Sequence, residues 1–184
     1  MQECGLTQPG AGRQAGSVFT ELLARILDQY RLDVNGTHGI RHWGRVLENG
    51  RRLAPLTGAD PRVIELFSIF HDACRQSEKL DHDHGPRAAE FVQRLRGDID
   101  LDDEAFAQLV LACECHTRGP RIPCTETVLT CLDADRLDIP RVGMWIRPNL
   151  LFTAAARNRL IIGWASTRAW HDEVPAVCAE EWGL

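Results

Sequence analysis

The chain has 184 residues, 44% apolar and 26% charged, with 21 Lys and Arg against 26 Asp and Glu for a formal charge of −5. That length suits one domain of ordinary size, and that composition excludes a chain disordered over most of its length. No apolar run approaches the ~20 residues of a bilayer span, residues 1–5 show no secretory leader, and the arginines are too dispersed for general nucleic-acid binding. The expectation is a cytoplasmic protein with no membrane partner. The seven cysteines form no Cys-x-x-Cys pair and read as reduced, mostly buried small hydrophobes.

Residues 1–16, with Gly5, Gly10, Gly12 and Gly16 and almost nothing apolar, read as a flexible tail. The remainder, 17–184, reads as one helical domain. Ser17 can cap a first helix whose apolar positions are Phe19, Leu22, Leu23, Ile26, Leu27 and Tyr30. Asn35-Gly36-Thr37 breaks it, and a second helix is predicted over 38–53. Asp60-Pro61 supplies a cap and a first-turn proline for a third, carrying Val63, Ile64, Phe67, Phe70, His71 and Cys74. A polar loop over 76–83 leads to a helix predicted over 85–96. Asp102, Asp103 and Glu104 place negative charge at the start of the next, which ends near His116. Thr125-Glu126 opens a helix with Val128, Leu129, Cys131 and Leu132, and shorter helices are predicted over 148–156 and 158–171. No stretch alternates with period two for long enough to be a strand. The fold class is all-α, a single-domain bundle.

Laid on these stripes, five ionisable side chains share a helix face with apolar neighbours at steps of three, four and seven. His42 goes with Val46, His71 with Ile64 and Phe67, His84 with Ala88 and Phe91, His116 with Leu109 and Cys113, and Asp135 with Val128 and Cys131. Asp72 follows His71 at the edge of the same stripe. One inward histidine is ordinarily a hydrogen-bonded core residue. Five helices each turning an ionisable group inward is costly unless the groups are paired or ligate an ion. Neutral imidazoles with carboxylates suit a first-row divalent transition metal, Fe, Mn, Co, Ni or Zn, held between facing helices.

The segments His42-Trp43-Gly44-Arg45-Val46, Phe70-His71-Asp72 and Asp133-Ala134-Asp135-Arg136-Leu137-Asp138 resemble the HD-domain superfamily of metal-dependent phosphohydrolases. The resemblance covers about residues 35–140. It implies an all-α fold with the metal held by His42, His71, Asp72 and one distal aspartate. Asp133 and Asp135 compete for that last place. The Val128, Cys131 and Leu132 stripe favours Asp135, which leaves Asp133 to orient Arg136 or a helix end. Family members with two metals add two histidines between the doublet and the distal aspartate, where this chain has His84 and His116. Asp72 would then bridge ions ~3.5–4 Å apart. The alternative is one ion, with His84 and His116 facing substrate or orienting ligands. His38, one turn before His42, is assigned an orienting or substrate-contacting place, whereas His82 and His171 default to the surface. The five tryptophans default to the core or to partial burial.

Such a site implies a phosphohydrolase acting on a nucleotide or another small phosphate ester, with Asp72, Arg75 and Arg136 as the catalytic group beside one or two ions. Arg45, Arg87 and Arg118 are weaker candidates that default to ion pairs. Cys74-Arg75 replaces the family's common Gly-Lys after the doublet, and the marks of cyclic-dinucleotide and (p)ppGpp enzymes are absent. Two rivals stand beside this expectation: an HD-like di-iron oxygenase of the mixed-valent type, and a catalytically silent HD module that binds a nucleotide.

Overall fold

The computed structural model describes residues 15–184 and contains eight α-helices and no strand among them. They are α1 (Ala15–Gln29), α2 (Ile40–Thr57), α3 (Pro61–Phe70), α4 (His84–Arg94), α5 (Asp103–Cys115), α6 (Glu126–Arg136), α7 (Arg159–Trp170) and α8 (Ala176–Glu180). Two 3₁₀ turns, Ile139–Val142 and Pro148–Leu150, lie between α6 and α7. The expected tail falls outside the described residues except for Ala15 and Gly16, which already belong to α1. Ser17 is therefore inside the first turn and not its cap. No described helix is long and apolar enough to cross a membrane.

Helix α3 sits at the middle of the bundle, packed on α1, α2, α5 and α6, while α4 lies along α5. Its start follows the expected chemistry, with the Asp60 side chain accepting from Arg62 N and Pro61 in the first turn. Val63, Ile64, Phe67 and Phe70 are almost wholly buried, each large side chain contributing about 1.5–3 kcal/mol. Asp102 and Thr125 cap α5 and α6 in the same way, through Ala105 N and Val128 N. A smaller apolar cluster of Leu53, Leu137, Leu151, Ala156, Ile161 and Ala165 seats α7 on the far end of α2. Of the cysteines, Cys113, Cys115, Cys131 and Cys178 are buried, and the six described ones are free.

Three expectations need correction. Helix α2 begins at Ile40, because residues 33–39 form a turn in which Ile40 N donates to Val34 O; His38 precedes the helix. It also runs on to Thr57 and stops at Gly58, whose φ of 73° suits a residue without Cβ. The helix expected over 148–156 is only the 3₁₀ turn Pro148–Leu150. The N–H groups of Phe152 and Thr153 donate to the Asp133 carboxylate, each at 2.8 Å, and not back along a helix. Finally, Trp43 and Trp182 are buried as expected, but Trp145 and Trp170 are exposed and meet edge-to-face on the surface.

Candidate metal centre

The helix ends bring the chemistry together. His42 projects from the first turn of α2, His71 extends α3 by one residue in helical geometry, His84 begins α4 and His116 extends α5. Close contact between α4 and α5 is built into Gly85, where a Cβ would meet Glu114 O at 2.8 Å and Cys113 O at 2.9 Å. That approach brings His84 Nε2 to 2.8 Å from His116 Nε2. On the other side, His42 Nε2 and His71 Nε2 are 3.0 Å apart.

Asp72 stands between the two pairs. Its Oδ2 lies 3.6 Å from His42 Nε2 and 3.8 Å from His71 Nε2; its Oδ1 lies 3.2 Å from His84 Nε2 and 3.6 Å from His116 Nε2. Asp135 Oδ1 approaches the first pair, at 3.4 Å from His42 Nε2 and 4.0 Å from His71 Nε2. His42, His71 and Asp72 thus form one buried triad, and Asp72, His84 and His116 a second that shares the carboxylate. Of the two distal aspartates, Asp135 faces this centre. Asp133 is buried elsewhere, accepting from Phe152 N, Thr153 N and Thr153 Oγ1, and so anchors the 152–153 segment and not Arg136.

The outer ring nitrogens settle how the imidazoles are used. His71 Nδ1 lies 3.0 Å from Ser68 O, His116 Nδ1 lies 2.7 Å from Cys113 O, and His84 Nδ1 faces Asp81 O. Carbonyl oxygens only accept, so each of these Nδ1 atoms donates and the neutral ring keeps its lone pair on Nε2. His42 Nδ1 is held at 2.7 Å by the Asp138 carboxylate, which is fixed in turn by Arg45 Nε at 2.7 Å. Four Nε2 lone pairs pointing at one carboxylate is a poor hydrogen-bond arrangement, because most of these contacts lack a proton to share. It is the arrangement of ligands around cations, with the outward N–H groups held as metal-binding histidines hold them.

Electrostatics agrees with the donor chemistry. Burial lowers His42 well below its ordinary value, with Arg141 and His71 adding to the shift, and burial lowers His71 to about 4. Burial alone would raise Asp72, but His71, His116 and His84 bring it well below the usual carboxylate range; Asp135 is lowered against burial by His71 and His42. Neutral His42 and His71 with ionised Asp72 and Asp135 are the forms that ligate. Burial lowers His116, but Asp72, Asp135 and the Cys113 carbonyl together raise it, so a cation there competes with a proton.

A cavity of about 710 Å³ opens over the centre, reaching Asp72, His84, His116 and Asp135 at its floor. Arg75 Nη1 lies 3.6 Å from Asp72 Oδ1 and 3.2 Å from His84 Nε2, while its other nitrogens donate to Ser77 O and Lys79 O. Arg136 borders the same cavity, but its guanidinium stacks on Phe152 at 4.3 Å and donates to Leu150 O, away from the ligand cluster. Arg45, Arg87 and Arg118 are engaged in ion pairs with Asp138, Asp81 and Asp83. His38 lines the cavity with Nδ1 at 2.6 Å from Glu78 Oε2, and His82 and His171 are exposed. Sequence reasoning missed three residues. Asp138 orients His42; Thr117 places Oγ1 at 3.2 Å from His84 Nε2; Arg141, anchored to Thr37 O and Asp138 O, adds positive charge beside His42 and Asp135. Asp138 had a signal, as the third carboxylate in a six-residue stretch; Thr117 and Arg141 had none.

The all-α chain thus gathers four histidines and two aspartates at its helix ends, in groups that could hold a metal ion. No family model matches the sequence, and no curated protein matches it. The crystal structure of a predicted HD superfamily hydrolase from an uncultured Thermotogales bacterium is similar to it, with a TM-score of 0.62 and 25% identity over 82% of this chain and 86% of that one. That likeness supports membership of the HD-domain superfamily, and the His/Asp cluster supports a metal-dependent function of HD type.

Proposed function

We propose that this chain is a metal-dependent phosphohydrolase acting on a small phosphate ester, a nucleotide among the candidates. The observation that carries it is Asp72 set between two imidazole pairs whose Nε2 atoms all face inward. In this reading His42, His71, Asp72 and Asp135 hold one ion, and Asp72, His84 and His116 a second. A divalent transition metal, if bound by these residues, would supply an acidified water and a Lewis acid for the phosphoryl oxygen.

The remaining work falls to the protein's own side chains. Arg75, pinned by two backbone carbonyls, presents Nη1 beside Asp72, where phosphate oxygens would meet it. Arg141 adds a second positive charge that reaches His42 and Asp135, and Arg136 and Arg147 also line the cavity. His38, oriented through Nδ1 by Glu78 and lowered by burial, borders the cavity as a neutral ring whose Nε2 accepts. This arginine-rich lining suits an anionic, phosphorylated substrate. The test is a panel of phosphorylated metabolites incubated with metal-loaded and chelator-treated protein. Phosphate release only from the loaded form is expected; oxygen consumption without phosphate release would sink the proposal.

A further inference from the structure

The cavity has two chemically different ends. Its floor is ionic, but its outer wall comes from residues 142–151, where Val142, Met144, Trp145, Ile146, Leu150 and Leu151 line it. Trp145 is 76% exposed, and Val142, Met144 and Leu150 are also exposed. Isolated apolar residues on a surface need no explanation, whereas a contiguous group at the mouth of a polar cavity marks a binding surface. A phosphate group alone would leave most of about 710 Å³ unfilled.

The indole is also held in place. The turn Ile139–Val142 ends at Gly143, whose φ of 77° reverses the chain and carries Met144 and Trp145 outward. Trp170, from the last turn of α7, meets the Trp145 ring edge-on at 5.4 Å and 63°. Trp145 contributes little to the core, yet it has an aromatic support behind it and the cavity in front.

We infer that Trp145, flanked by Met144 and Leu150, is the subsite for a planar apolar group on the substrate. The class of substrate is then a phosphomonoester whose alcohol bears an aromatic or heteroaromatic ring, and not a small sugar or glycerol phosphate. This rests on the phosphohydrolase reading for the phosphate end, while the ring end rests on the wall itself. A ring stacked on an indole contributes enough for roughly a tenfold difference in affinity.

The test uses non-hydrolysable probes on the full metal-loaded chain, with phenylphosphonate and methylphosphonate titrated by calorimetry. Wild type should bind phenylphosphonate at least about tenfold more tightly. Trp145→Ala should bring that ratio close to one, and Trp145→Phe should keep most of it. An unchanged ratio in Trp145→Ala, or no binding of either probe by wild type, overturns the inference. So does a dimer in sedimentation that Trp145→Ala dissociates while the ratio stays fixed, since the wall would then serve a second copy. If the ratio behaves as expected but no phosphate ester is hydrolysed, the subsite stands and the hydrolase reading fails.

Discussion

The inner and outer halves of the cavity are built on opposite terms. Asp72 and the four histidines are buried at the ends of packed helices, and every histidine has its outer nitrogen committed to a carbonyl or to Asp138. The outer wall over 142–151 is short turns that leave Val142, Met144, Trp145 and Leu150 exposed, with Leu151 alone among its apolar lining fully buried. Ligand geometry tolerates little displacement, so it is placed on rigid elements. A surface that selects among substrates can sit on turns, where sequence changes cost the fold little.

The largest test of that contrast is Asp72→Ala. It removes the carboxylate shared by both triads, so metal retention should be lost together with any phosphatase activity; elemental analysis showing metal at wild-type occupancy would remove Asp72 from the centre. Next, His116→Ala should lower the metal-to-protein ratio from about two towards one, because only the second triad loses a ligand. An unchanged ratio measured the same way assigns His116 an orienting place. Asp138→Asn keeps a side chain of similar shape opposite the buried Arg45 but loses the charge that holds His42. Metal affinity should fall by ~10–100-fold in chelator competition, with the stoichiometry kept.

The smallest effect belongs to the residue that joins the two halves. Asp133 on α6 ties down residues 152–153, just beyond the outer wall. Asp133→Ala strands two backbone N–H groups and the Thr153 hydroxyl, at a cost of about 1–3 kcal/mol, so the melting temperature should drop. Metal content should be unaffected, and its loss would return Asp133 to the ligand contest with Asp135.

The inner half was largely legible in sequence, since its residues obey helical periodicity. His71 and Asp135 fall on stripes that are buried for the ordinary reason that Phe67, Val128 and Cys131 pack. The outer half was not. A helix was expected over 148–156, where the Asp133 carboxylate, some twenty residues upstream, takes the N–H groups that a helix would use. Arg136, expected at the chemistry, instead lies against Phe152, which that same anchor places beside it. Trp145 defaulted to the core or to partial burial, but it is exposed, two residues beyond the αL turn at Gly143.

Sequence by itself determined the all-α class, the cap of the third helix and the starts of the fifth and sixth, and the side chains that had to be turned inward, because these follow from local spacing and local hydrogen bonding. Of the two arrangements left open for Asp72, tertiary structure decided that its two oxygens would divide between the histidine pairs. It also decided that Asp138 would orient His42 and that an indole would stand at the cavity mouth. Those outcomes depend on how far apart the packed helices come to rest and on which distant backbone donors a carboxylate captures, distances that no local pattern encodes.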